Sequence, residues 1–106
     1  MPIARRGEVW QVDLGLVAKV RPAVILSVPF LDHERAVFGI VPHTTAARGT
    51  RFEVSMVVPG LQADVLDAQG VRNVPPQVMM RRLLAVLTPQ QLAQVEEAVN
   101  RWFGLA

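Results

Sequence analysis

The segment Lys19-Val20-Arg21-Pro22-Ala23-Val24-Ile25-Leu26 decides the reading of the fold. Ala23 to Leu26 is an unbroken apolar run, and nearly every residue from there to Val28 is apolar. A half-exposed strand would alternate, so a short uniform run of this kind is expected to be a central strand, Arg21 to Val28, buried on both faces.

Working outward, Arg5 to Leu14 reads as a first strand, with Trp10, Val12 and Leu14 on one face and Val9, Gln11 and Asp13 on the other. Gly15 to Lys19 is a short loop. Pro29 to Glu34 is a polar connection into a long third strand, Arg35 to Thr45, rich in β-branched and aromatic residues. Arg48-Gly49 signals a turn. Arg51 to Val57 then alternates, with Phe52, Val54 and Met56 opposite Arg51, Glu53 and Ser55. After the Pro59-Gly60 turn, Ala63 to Val74 reads as one or two short strands broken near Gly70. Pro75-Pro76 interrupts regular pairing. Met79 to Leu87 suits a strand or a helix, and a strand reached through Arg81 and Arg82 is favoured.

The end of the chain predicts a helix over about 88–103. Thr88 is a good N-cap, Pro89 takes the first helical position and Gln91 completes a capping box. Leu92, Val95, Val99, Trp102 and Phe103 fall on one stripe, with Trp102-Phe103 as a core anchor, and Gly104 closes the helix. Five or six short strands and one helix describe a mainly β domain: a small, strongly bent barrel with a C-terminal helix laid across it.

A chain of 106 residues, 51% of them apolar, is expected to form one domain spanning 1–106 with one core. Cysteine is absent, which excludes disulfides and thiolate metal sites and fits a cytoplasmic protein. No apolar run approaches the roughly 18 residues of a membrane span, and no apolar stretch of a signal peptide follows Arg5-Arg6. Net charge is +2, and ten of the eleven cations are Arg. The guanidinium fork suits phosphate and stacks on bases, although a G+C-rich genome would produce the same excess.

A second signal lies about twenty residues beyond Arg21: Val41-Pro42-His43-Thr44-Thr45, followed by Arg48-Gly49. A permanent cation at the start of one strand and a hydroxyl at the end of the next are parts suited to a phosphodiester without a metal or cofactor. The bland alternatives are a strand-end Arg21 reaching to solvent and a Thr44 that only fills a β position, with Thr45 as its substitute if the register slips by one. His33 and His43 offer a minor alternative, a two-histidine ribonuclease with one acid and one base, but alternation turns His43 and Thr44 to opposite faces and His33 falls in a polar loop beside Asp32 and Glu34. Two His without clustered carboxylates give no metal-ligand spacing.

These blocks resemble the MazF/PemK-type toxins. Arg6-Gly7-Glu8-Val9-Trp10-Gln11-Val12-Asp13-Leu14 is similar to that family's first strand, Arg21-Pro22-Ala23-Val24-Ile25-Leu26-Ser27 to its next block, and Val41-Pro42-His43-Thr44-Thr45 with Arg48-Gly49 to its third. Gln69 with Val71-Arg72, then Arg82-Leu83-Leu84, then Thr88-Pro89-Gln90-Gln91-Leu92 follow in the family's order. The resemblance implies an SH3-like barrel that dimerises, blocked by a cognate antitoxin. It implies a metal-independent, sequence-specific endoribonuclease that cuts single-stranded mRNA by 2′-OH attack, leaving a 2′,3′-cyclic phosphate and a 5′-OH. It places the essential arginine on Arg21 and the essential threonine on Thr44. Lys19, Thr45, Arg48, Arg51 and Gln69 are the candidate RNA contacts around them. The chain departs from the family at the first loop, where only Gly15 to Val20 stands in for a longer Gly-rich acidic segment.

Arg21 stays protonated and so is assigned to charge stabilisation, while the base is left to substrate, water or a carboxylate. Two other classes share the barrel. A CcdB-like gyrase poison is suggested superficially by Trp102-Phe103-Gly104, and a non-catalytic RNA- or protein-binding barrel by the short loop.

Overall fold

The computed structural model describes residues 4–15, 19–61 and 65–105, and leaves out the side chains of Arg81 and Arg82. Its elements are β1 (Glu8–Asp13), β2 (Val20–Ile25), β3 (Phe38–Thr44), β4 (Glu53–Ser55), β5 (Val65–Asp67), β6 (Arg72–Val74), β7 (Met79–Val86) and α1 (Pro89–Phe103). Short 3-10 turns span Ala68–Gly70 and Pro76–Val78.

Hydrogen-bonded neighbours run β4-β5-β3-β2-β1-β7, with β6 also paired to β3. The described strands therefore form a barrel-like sheet that hydrogen bonding does not close. β2 is central as expected, antiparallel to both β1 and β3. Ala23 and Ile25 enter one apolar cluster with Trp10, Val12, Phe38 and Ile40. Val24 enters another with Val9, Val41, Leu66 and Val95. Both faces of the strand are covered, which is why its sequence does not alternate.

Several expected strands are shorter. β2 stops at Ile25 and Val28 is exposed, because the Leu26 and Ser27 amides both donate to the Gly39 carbonyl, at 2.8 and 3.3 Å. Two residues facing one end the regular ladder. β1 starts at Glu8 because residues 5–8 form a turn, in which the Glu8 amide donates to Arg5 O (3.0 Å) and the Arg5 amide to Glu8 Oε1 (2.7 Å). β4 keeps only three residues. The break near Gly70 is the 3-10 turn between β5 and β6, both of which line one edge of β3. Gly70 is required there: a Cβ would stand 2.7 Å from Pro42 Cγ. The segment from Met79 is a strand, β7.

α1 carries the expected capping box: Thr88 Oγ1 accepts the Gln91 amide and Gln91 Oε1 accepts the Thr88 amide. Gly104, at φ 69°, ends it in the left-handed conformation. Val95 and Ala98 are its buried residues, and Arg6 ties it to the turn before β1 through a 2.5 Å ion pair with Glu96. The expected core anchor is corrected. Trp102 is 42% exposed and Phe103 57% exposed. Trp102 meets Phe52 edge-on at 5.2 Å, but the short edge strand β4 gives the last helical turn little else to pack on.

Candidate functional site

Two prolines shape the ends of β2 and β3. Pro22 pairs with Gln11 of β1, and Pro42 faces Ala23 across β2 and β3. The β2–β3 pairing runs Ile25–Ile40, Val24–Val41, Ala23–Pro42 and stops there. Neither proline has an amide to donate, so the ladder gives out where two prolines come together. Continued by two steps, the register sets Arg21 opposite Thr44. Both residues lie just beyond the paired stretch, Arg21 second in β2 and Thr44 last in β3, at adjoining strand ends. Arg21 and Thr44 are half-buried, and His43 is 6% exposed.

Two depressions of about 310 Å³ each flank the end of β3. Arg21, Gln11, Pro22, His43 and Thr45 line the first, with Gly60, Leu61 and Leu84 beyond them. Thr44, Arg48 and Gln69 line the second with Ala46, Thr50, Glu53 and Asp67. Consecutive residues thus open on different sides, Thr44 on one and Thr45 on the other, and the end of β3 separates the depressions.

Thr44 Oγ1 accepts the Ala46 amide at 3.1 Å, which fixes the side chain and leaves the hydroxyl proton to donate elsewhere. Arg48 is set by Glu53, whose Oε1 accepts the amides of Arg48 (3.0 Å), Gly49 (2.7 Å) and Thr50 (3.2 Å), while Oε2 takes Arg48 again (3.0 Å). Successive amides converging on one carboxylate form an anion nest filled from within the chain. The Arg48 amide above all, against an opposing desolvation second in size, and then the Thr50 and Gly49 amides and the Arg48 charge, hold the Glu53 carboxyl below the usual glutamate range. A lowered folded-state value means the clamp is present above the unfolded value, about 4.3, and is lost as pH falls through the folded one. The Arg48, Gly49 and Thr50 amides should therefore lose hydrogen-exchange protection only below about pH 4.3 in an NMR titration. Exchange protection already lost well above about pH 4.3 would contradict the clamp.

The remaining expected contacts are dispersed. Arg51 lines neither depression; its guanidinium lies over the Phe52 ring at 4.6 Å, and Arg101 donates to its carbonyl at 2.9 Å. Glu53, two residues on, turns to the 48–50 amides. Lys19 sits at φ 60° just before β2, donating to Gly15 O (2.6 Å) and accepting the Leu14 amide (2.9 Å). Of the short first loop, residues 16–18 lie outside the described structure. Gln69 follows Asp67, whose Oδ1 accepts its amide at 3.1 Å. His33 is exposed in the connection after β2 and shares neither depression with His43. Among the described residues no group of three or more His, Cys, Asp or Glu is placed to hold a metal ion.

Sequence reasoning did not single out Gln11, Glu53 or Asp67. Gln11 was reachable, since a β1–β2 hairpin sets it across from Pro22 beside Arg21. Glu53 and Asp67 face one another across β4 and β5. The connection between those strands carries no signal that fixes this register.

A family profile described as "PemK-like, MazF-like toxin of type II toxin-antitoxin system" matches residues 5–103. The chain belongs to this toxin family. A comparison with curated proteins finds no match. Among solved structures, this MazF-like toxin is similar to a mycobacterial endoribonuclease in complex with its cognate antitoxin, at 22% identity and TM-score 0.82 over 98% of each chain. It is similar to MazF of the MazE–MazF complex of Deinococcus radiodurans, at 21% identity and TM-score 0.81 over 100% of each chain. It also matches the Mycobacterium tuberculosis toxin MazF-mt6, at 25% identity and TM-score 0.78, over 93% of this chain and 98% of that one. The first two likenesses speak to the fold alone, and that fold is the mainly β barrel with a C-terminal helix expected from the sequence. No described helix of the toxin is long and apolar enough to cross a membrane.

Proposed function

We propose that this toxin is a sequence-specific endoribonuclease that cuts single-stranded mRNA in the cytoplasm without a metal. Family membership carries the reading, and it is supported by a guanidinium and a hydroxyl at adjoining ends of neighbouring strands, Arg21 near the start of β2 and Thr44 at the end of β3. In-line attack by the ribose 2′-OH builds charge on the non-bridging phosphoryl oxygens. The Arg21 fork receives that charge, and the Thr44 hydroxyl donates to a phosphoryl oxygen. Arg48 and Gln69 beside Thr44, and Thr45 beside Arg21, contact the flanking RNA, while Lys19 and Arg51, outside both depressions, meet its backbone further along. A backbone held by cations releases counterions, so binding weakens as salt rises.

The toxin acts as a homodimer held in check by a cognate antitoxin. Family membership supports both, and so does the open sheet. β7 is an edge strand whose Met80, Leu83 and Val86 are 48%, 48% and 63% exposed. Apolar edges of this kind are normally covered.

The test is incubation with a long single-stranded RNA in excess EDTA, followed by mapping of the fragment ends. Cuts at a recurring short sequence, with 2′,3′-cyclic phosphate and 5′-OH termini, are expected. RNA left intact would sink the proposal, as would ends carrying a 5′-phosphate.

A further inference from the structure

The depression on the Thr44 side differs in charge from the surface an RNA backbone needs. Two carboxylates, Glu53 and Asp67, face each other in it across β4 and β5. Arg48 is the one cation among the described residues lining it, so a phosphate can sit at the Thr44 and Arg48 side but would be repelled if seated between the two acids. The two acids are not equivalent. Glu53 is committed to three backbone amides and stands near the Arg48 charge. Asp67 accepts one amide, that of Gln69, on Oδ1. Its Oδ2 takes no hydrogen bond among the described residues. A carboxylate is an acceptor only, so a partner for it must bring N–H or O–H donors, and on a nucleobase those are N–H groups.

We propose that this depression takes one base of the RNA next to the cut, and that Asp67 reads the exocyclic amino group of that base. The inference rests on the endoribonuclease reading and names part of its specificity. Its about 310 Å³ gives room for one planar base, and Thr44 on its rim puts that base beside the reacting phosphate. Adenine and cytosine each offer an amino donor, and guanine offers an amino group next to a ring N–H. Uracil offers a single N–H between two carbonyl oxygens, which a carboxylate repels. The toxin therefore prefers adenine, cytosine or guanine to uracil at one position. Gln69, on the same rim, is placed to touch the base as well.

The test separates binding from cutting. Hexamers of 2′-O-methyl uridine, with one internal position varied among the four bases, cannot undergo 2′-OH attack. Fluorescence anisotropy should show the all-uracil hexamer binding about tenfold more weakly than at least one amino-bearing hexamer, the discrimination of a well-formed base contact. In Asp67→Asn, whose amide also donates to uracil, the gap should shrink to about twofold or less, and in Asp67→Ala it should vanish, with melting temperatures confirming both variants folded. Equal binding of all four hexamers, no binding of any, or a preference that survives in both variants would overturn the proposal. Failure of the nuclease reading is seen separately, as unmodified RNA left intact by a protein that still discriminates among the hexamers.

Discussion

Arg21→Ala is expected to lower the single-turnover rate of RNA cleavage by about 100- to 1,000-fold, the usual cost of removing one preorganised donor to a developing oxyanion. The fold should survive, because Arg21 is half-buried as the second residue of β2 and the strand is held by Ala23, Val24 and Ile25 further along. Arg21→Lys separates charge from shape. Lysine keeps the cation and loses the planar two-pronged contact, so most of the activity should be lost here too. Cleavage within a few-fold of wild type in the lysine variant would mean that only a point charge is needed. A similar result for alanine would remove Arg21 from the phosphate altogether.

The largest expected stability change is in β3. Ile40 is fully buried, packed among Trp10, Ile25, Phe38, Val74 and Met79, and it sits where β3 pairs with β2 on one side and β6 on the other. Ile40→Ala should cost about 2–5 kcal/mol, from lost transfer energy and an unfilled cavity. A domain of this size is stable by about 5–15 kcal/mol, so the loss is a large fraction of the whole. Ile40→Val should cost only about 0.5–1.5 kcal/mol. Val57→Ala, at a position 86% exposed, should stay within about 0.5 kcal/mol. Urea melts at fixed protein concentration measure all three, because a dimer would make stability depend on concentration. An Ile40→Ala cost below about 1 kcal/mol would contradict the packing described here.

Much of the fold was legible because periodicity and punctuation agreed. The uniform run after Pro22 gave the central strand, and Thr88-Pro89-Gln90-Gln91 gave the start of α1. Strand ends were less legible, because side chains outside the pattern set them: Ser27 Oγ takes the Gly39 amide at 2.8 Å and Glu8 caps its own turn. The helix stripe misled at Trp102 and Phe103. Periodicity reports which residues share a face, and it does not report where the sheet beneath that face ends. At the site, Arg21 and Thr44 stood out as residue types, and counting along two paired strands brings them to adjoining strand ends. That they open on separate depressions was not legible, since it depends on β5 joining β3 at His43 and Thr44. The Glu53 clamp escaped for the same reason as Asp67: both depend on contacts between segments whose pairing the sequence leaves free.

The account turns on Arg21 and Thr44 acting on one phosphodiester from neighbouring strands. The direct measurement is a double-mutant cycle on the single-turnover cleavage rate, with Arg21→Ala, Thr44→Val and the pair together. Groups that share one reacting phosphate are coupled by about 0.5–3 kcal/mol, so the double variant should lose clearly less than the product of the two single losses. Losses that multiply, or a Thr44→Val variant that cuts like wild type while Thr45→Val does not, would contradict it.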